Sequence, residues 1–389
     1  MEHDAIVSAV VMVFAGAAIM ATLALYARQS LLVAYIVLGG LLGPWGLGLI
    51  SHGAVIQQIG HIGIIFLLFL LGLNLHPQKL VHMLREATVV TLASSSVFFC
   101  LGAGLGWLFG FALNESLVMG AAAMFSSTIL GLKLLPTIDL HHQHAGEIII
   151  SVLLLQDIIA IGILLVLEGM SQSGADWWRA VSLSVSVPAL MAFALVFERY
   201  VLIRLLRRFD TIQEFVFLVA IGWCLGLAQL GTAMGLSYEI GAFVAGVALA
   251  YNPISQFIAE SLKPLRDFFL IMFFFSLGAG FALPMLPAVA APAAALALLM
   301  LLVKPVVFRG LLTASHEAAH LSTEIGVRLG QISEFSLLIA VLAGDSRVIG
   351  ERAAYTIQAA TLITFIVSSY VIMLRYPTPI AVSDRLRRS

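Results

Sequence analysis

Thirteen continuous apolar runs, each close to the length that crosses a bilayer, leave this chain little choice of solvent. A helix crossing the hydrocarbon core needs about 20 mostly apolar residues. Such runs lie at 5–26, 31–50, 54–75, 88–112, 116–135, 146–168, 180–203, 213–231, 238–251, 266–283, 290–313, 322–344 and 352–374. A transmembrane β-barrel would instead alternate apolar and polar residues in segments of about ten. Composition agrees with helices in lipid: of 389 residues, 61% are hydrophobic and 11% charged, whereas soluble domains carry about 25% charged residues. A soluble enzyme, a nucleic-acid binder and a disordered scaffold are excluded, because too few charges exist to cover a water-facing surface. The net charge of −1 offers no broad basic face to nucleic acid. Cys100 and Cys224 sit inside apolar runs and read as packing residues rather than a disulfide framework. The first run has no Lys or Arg ahead of it and outlasts a signal-peptide core, so it reads as a retained helix. The expected fold class is an all-α polytopic membrane protein.

Basic residues orient the runs. Fifteen of the twenty fall in the odd-numbered connections and the C-terminal tail, including Arg28, Lys133, Arg207 and Arg388. The even-numbered connections hold only Arg179, Arg347 and Arg352. This bias predicts an N-terminus outside and a C-terminus in the cytoplasm, and it suits a bacterial inner membrane.

Thirteen reads as six, one and six: a first repeat at 1–168, a linker helix at 180–204, an inverted second repeat at 213–375, and a short basic tail at 376–389. An offset of seven runs reverses orientation, which makes the halves inverted repeats, a common transporter design. The fifth run is interrupted midway by Ser126, Ser127 and Thr128. The twelfth is interrupted midway by Gly330, Gln331, Ile332, Ser333 and Glu334. Paired interruptions at matching places in two halves point to a binding site near the midplane. The plainer alternative is that such Ser and Thr hydroxyls bond back to their own helix.

Four ionisable side chains stand out within the runs, because a charge at mid-bilayer costs at least about 2.5–3.5 kcal/mol on insertion. Asp157 lies at the centre of the sixth run, Lys304 in the eleventh, and Arg328 and Glu334 in the twelfth. A carboxylate in apolar surroundings favours its neutral form, so it holds a proton or a bare monovalent cation, but rarely both. That exclusion is the chemistry of proton-coupled exchange. The structural alternative for Asp157 is a buried ion pair with Lys304. Gln156 adds a carbonyl oxygen without charge, suited to replacing part of a cation's water shell. Lys304 reads as a counter-charge for the carbonyl ends of the interrupted helices or as a partner of Asp157. Glu334 reads as an organiser of its break rather than a primary ligand. Glu334 and Arg328 stand nearly two turns apart on one run, which leaves each to find a partner elsewhere.

His141, His142 and His144 have ligand-competent spacing, but no Cys accompanies them and Asp139 is the nearest carboxylate, so they read as a solvated loop. Glu239 opens the ninth run, where a carboxylate suits the helix dipole. Met272, Phe273, Phe274 and Phe275 read as packing or lipid-facing surface. No phosphate-binding glycine loop and no nucleophile–base pair stands out, so bond chemistry, a cofactor and a resident metal are not expected.

Taken in order, several segments resemble the monovalent cation:proton antiporter family of the sodium/proton exchanger superfamily, and within it the Kef-type potassium:proton branch. They are Gly43-Pro44-Trp45-Gly46-Leu47-Gly48, Leu70-Leu71-Gly72-Leu73-Asn74-Leu75, Phe125-Ser126-Ser127-Thr128, Leu155-Gln156-Asp157-Ile158, Gly241-Ala242-Phe243-Val244-Ala245-Gly246, Phe274-Phe275-Ser276-Leu277-Gly278, Lys304, and Gly330-Gln331 through Ser333-Glu334-Phe335. The resemblance implies a homodimer with a dimerisation domain and a mobile core holding two crossed, unwound helices. It implies that Asp157 is the shared cation and proton site and that Lys304 is the basic residue of the core. Gln156, where other branches carry Asp or Asn, points to K+ and to electroneutral exchange.

Two departures limit the carry-over. Kef-type systems usually continue into a cytoplasmic nucleotide-binding domain, and this sequence stops shortly after the thirteenth run, which leaves open a stand-alone transporter, a chain cut at the membrane boundary, and a separate cytoplasmic regulatory subunit. The acids of glutathione-gated members are missing between Asn252 and Lys263, where only Glu260 occurs, and Asn74 stands where an acid is common. The expectation is alternating-access exchange of K+ for H+, with Na+(Li+)/H+ exchange as the alternative within transport. A channel-like K+ efflux protein and a non-transporting membrane sensor or scaffold are the rivals from other classes; the sequence shows no selectivity-filter loop.

Overall fold

The structure is a computed structural model that describes residues 2–377 apart from 28, 51–52, 75–76, 129, 131–143, 171–176, 210–211, 251 and 253. Helices are the regular structure of the described residues, with no strand among them. The helices are α1 (Glu2–Tyr26), α2 (Leu31–Leu42), α3 (Gly53–Asn74), α4 (Pro77–Leu108), α5 (Leu113–Met124), α6 (His144–Met170), α7 (Trp177–Phe197) and α8 (Ile203–Arg208). They continue as α9 (Gln213–Ala233), α10 (Tyr238–Ala250), α11 (Ile254–Ser261), α12 (Lys263–Gly280), α13 (Leu286–Ala314), α14 (Ala319–Arg328), α15 (Glu334–Asp345) and α16 (Glu351–Arg375). Each of the thirteen apolar runs carries helix.

Ser8–Tyr26, Thr88–Leu108, Ala145–Leu167, Glu214–Ala233, Leu283–Ala314 and Glu351–Arg375 are each long and apolar enough to cross a membrane. The apolar stretches Leu31–Leu42, Gly60–Leu70 and Tyr238–Ala250 are shorter. The polytopic membrane fold expected from hydropathy is therefore present. Its element ends differ in places. Helix α2 stops at Leu42, and the chain turns through Gly43–Gly48, where Gly48 takes a positive φ of 65°. Helix α4 begins at Pro77, ahead of its apolar run. Short α11 fills a connection that hydropathy leaves blank. Between α7 and α8 the chain winds as a π-helix over Glu198–Leu202.

The chain divides into two compact units. The first comprises Met1–Gly16, Ile36–Val81 and Glu168–Gly280. There α3 packs against both α10 and α12, and glycines set the spacing. A Cβ on Gly72 would lie 2.6 Å from the Phe243 carbonyl oxygen, and one on Gly246 would run into that of Phe69. Small residues at such crossings let backbones approach closely, which is how helices associate in lipid. Met272, Phe274 and Phe275 are fully buried in this unit, so that cluster is packing surface. At the start of α10, Glu239 is buried and its Oε1 lies 3.5 Å from His61 Nε2 on α3.

The second unit comprises Ala17–Tyr35, His82–Leu167 and Phe281–Ser389. Helix α13 packs on α14 and α16, and α15 packs on α16 and α5. A Cβ on Gly326 would lie 2.7 Å from the Pro305 carbonyl oxygen, so glycine lets α14 settle onto α13 one residue from Lys304. Glycines Gly102 and Gly120 do the same for α4 against α5. One end of α5 is tied to the α15–α16 connection: Asn114 Nδ2 donates to the Val348 carbonyl, and the Gly350 N–H donates to Glu115 Oε1 at 3.0 Å. Every residue singled out for ion chemistry lies in this unit.

Candidate functional site

Two helices of the second unit are interrupted inside it, and their broken ends are joined by side chains. Helix α5 ends at Met124 because Phe125 turns extended, at φ −87° and ψ 146°. Ser126 and Ser127 follow outside helical geometry, and Thr128 resumes it. Serine suits such a place because its hydroxyl competes with the backbone ladder. Ser127 Oγ accepts the Leu130 N–H at 3.1 Å, the bond of an N-cap for the resumed helix. Helix α14 ends at Arg328, with Gly330 just beyond as a weak helix former. Ser333 then caps α15: it is extended, and its Oγ accepts the Phe335 N–H at 3.1 Å. The cap is thus Ser333, and Glu334 is the first residue of the helix it starts, where a carboxylate favours the positive dipole end.

Irregular backbone at membrane depth survives only where the protein satisfies its polar groups. Gln156 does so for the first break: its Oε1 accepts the Ser126 N–H at 2.9 Å, and its Nε2 donates to the Met124 carbonyl at 3.2 Å. Ser126 Oγ crosses to the second break and donates to the Leu329 carbonyl at 2.8 Å. Gln331 Nε2 reaches back to the Ser127 carbonyl at 3.4 Å. Ser336 Oγ donates to the Ala122 carbonyl at 2.5 Å.

Lys304, fully buried on α13, joins both breaks. Its Nζ donates to the Phe125 carbonyl at 2.6 Å and to the Gln331 carbonyl at 3.0 Å. It also lies over the Phe98 ring at 5.2 Å from the centroid. The ammonium therefore sits where the carbonyl ends of two helices converge, the place the helix dipole favours for a cation. The ion pair with Asp157 weighed from sequence does not form. Asp157 is 2% exposed, and its Oδ2 has no hydrogen-bond partner among the described residues. Glu334, the other carboxylate of this unit's breaks, is also buried, at 4% exposure. The structure thus brings Asp157, Gln156, Ser126, Ser127, Lys304, Gln331, Ser333 and Glu334 to one crossing. Thr128 is adjacent in sequence, and its buried hydroxyl oxygen likewise has no partner among the described residues.

Arg328 stands apart from them. It pairs with Glu324 on its own helix at 2.8 Å, donates to the Pro377 carbonyl at 2.9 Å, and lies 5.6 Å from the Tyr376 ring centroid. These contacts anchor α14 to the end of α16. The His141-His142-His144 cluster lies outside the described residues. Among those described, no group of three or more His, Cys, Asp and Glu is placed to hold a metal ion.

Hydropathy missed two residues of the crossing. The Ile332 N–H donates to Thr364 Oγ1 at 3.1 Å, and Ser368 Oγ donates to Gln331 Oε1 at 3.0 Å. Their sequence signal was a polar stripe, Thr361, Thr364 and Ser368, on one face of an apolar helix.

The chain is similar to known proteins. The chain is 27% identical over 350 residues to the iron transporter MagA of Paramagnetospirillum magneticum, a match covering 88% of this chain and 79% of that protein. It is 26% identical over 348 residues to K(+) efflux antiporter 4 of Arabidopsis thaliana, covering 87% of this chain but only 59% of the plant protein. Its fold superposes on the sodium proton antiporter MjNhaP1 of Methanocaldococcus jannaschii with a TM-score of 0.68 at 16% identity, over 95% of this chain and 99% of that one. The family model described as the sodium/hydrogen exchanger, transmembrane, matches residues 10–374. With this match spanning both interrupted helices and the buried carboxylate between them, the chain belongs to the sodium/hydrogen exchanger family of integral-membrane cation:proton antiporters.

Proposed function

We propose that this antiporter exchanges K+ for H+, one for one, by alternating access, with Asp157 accepting either ion. The observation that carries the reading is the bonding of the two buried charges. Lys304 is held by two backbone carbonyls, while Asp157 keeps an unbonded carboxylate oxygen at the same crossing. A carboxylate with no fixed counter-ion among the described residues can take a mobile one. The Thr128 hydroxyl, unbonded among the described residues, and the carbonyls of the first break supply neutral oxygens, and Gln156 braces that break through the Met124 carbonyl and the Ser126 N–H. Potassium is supported by the Gln156-Asp157 pair of the Kef-type resemblance and by the similarity to a plant K(+) efflux antiporter. We further place the protein as a homodimer in a bacterial inner membrane, N-terminus outside and C-terminus in the cytoplasm.

Sodium or lithium exchange is the second reading. One observation favours it: both ends of the Gln156 amide are bonded to the backbone of the first break, so Gln156 does not by itself select ion size.

The test uses purified protein in liposomes carrying an internal pH dye. With a proton gradient imposed and the membrane potential clamped, external K+ should collapse the gradient, and Asp157→Asn should abolish the response while leaving a folded protein. A response to Na+ or Li+ alone would keep Asp157 and replace the ion. Uncoupled K+ flux, or full exchange in Asp157→Asn, would remove the mechanism.

A further inference from the structure

A helix broken inside a membrane protein frees backbone N–H groups that must find acceptors within the protein. In the first break the Ser126 N–H finds Gln156, 30 residues downstream on α6. In the second break the Ile332 N–H finds Thr364, 32 residues downstream on α16. Helices α6 and α16 close the two halves of the chain, so Gln156 and Thr364 occupy corresponding places. The correspondence extends one residue further, where Asp157 follows Gln156 and the fully buried Phe365 follows Thr364. One half carries a carboxylate at this position, and the other a buried phenyl ring.

We propose that Thr364, assisted by Ser368, is a positioning residue for cation binding, fixing the second break as Gln156 fixes the first. Most hydroxyls in membrane helices bond only to their own helix, as Thr361 does to the Ile357 carbonyl and Ser369 to that of Phe365. Thr364 differs. Its Oγ1 donates to the Thr361 carbonyl at 2.8 Å, which turns the oxygen to accept from Ile332. Ser368 holds the Gln331 side chain by its oxygen and so points the Gln331 nitrogen at the Ser127 carbonyl. The Gln331 carbonyl in turn accepts from Lys304. Thr364 and Ser368 therefore set the geometry of the second break and, through Gln331 and Lys304, that of the first.

The inference rests on the reading that the cation binds at this crossing beside Asp157. Its test compares wild type, Thr364→Val, Thr364→Ser, Ser368→Ala and Asp157→Asn in proteoliposomes, over a range of K+ and of Na+. Valine keeps the shape and removes the acceptor. Thr364→Val should raise the half-saturating cation concentration roughly three- to tenfold, the factor that one lost buried hydrogen bond represents, with the maximal rate largely retained. Thr364→Ser should restore the wild-type value, and Ser368→Ala should move it in the same direction by less. A part in helix stability alone would lower the melting temperature and leave half-saturation unchanged in both Thr364→Val and Ser368→Ala. That result overturns the proposal.

Cation-induced thermal stabilisation in detergent measures the same affinity without transport. A wild type that moves no protons, or an Asp157→Asn variant that still does, defeats the exchange reading. The shift in stabilisation between wild type and Thr364→Val still decides the role of Thr364.

Discussion

Asp157 and Lys304 are both buried in the second unit, and what separates their roles is the set of atoms each one meets. Two carbonyls with the dipoles of two helix ends behind them satisfy Lys304. Removing it strands both carbonyls and leaves the negative ends of α5 and α14 facing one another. Lys304→Met should therefore destabilise the fold by about 3 kcal/mol, the loss of two charge-assisted bonds, read as a lower denaturation midpoint in detergent. Asp157 carries no such structural duty through its Oδ2, so Asp157→Asn should leave that midpoint nearly unchanged while exchange disappears. The pair of charges was legible in the sequence, because each costs too much in lipid to be incidental. Thr364 and Ser368 were not legible. A hydroxyl is cheap to insert and usually satisfied by its own turn, so only the position of the neighbouring break shows which hydroxyls reach across.

At the scale of elements, the two interruptions could be placed from sequence because small polar residues and glycine weaken a helix wherever they cluster. What they connect to depends on helices far away in the chain. Gly326 lies under the Pro305 carbonyl and lets α14 approach α13 closely enough for Lys304 to reach the second break. Gly326→Val should push α14 outward and stretch both Lys304 bonds. Overpacking of this kind costs about 1–3 kcal/mol, so a lower melting temperature together with reduced exchange is expected; Gly326→Val with wild-type values for both would contradict this account of the contact. Arg328 follows the same logic at the other end of α14. Its bonds to Glu324 and the Pro377 carbonyl hold the helix to the end of α16. Helix α11 and the early start of α4 were invisible to hydropathy, because short or polar helices outside an apolar run leave no mark in it.

At the scale of the whole molecule, a carboxylate shared by two ions predicts competition. As pH falls, protons occupy Asp157 and the apparent KM for the cation should rise; as pH rises, it should fall, with the maximal rate less affected. Initial rates across a pH series decide this, and a cation KM independent of pH would argue for separate sites. The sequence by itself determined the solvent, the helical class, the thirteen apolar runs, the two interruptions and the buried charges. Each follows from a local cost, that of placing polar groups in hydrocarbon, which is paid residue by residue wherever the helix packs. Tertiary structure alone decided the partners. Lys304 bonds to carbonyls rather than to Asp157, Gln156 braces the first break, Thr364 braces the second, and Arg328 anchors an end of α14. Those choices depend on distances between segments far apart in the chain, such as Ser126 and Leu329 at a separation of 203 residues, and no periodicity along the chain encodes such a distance.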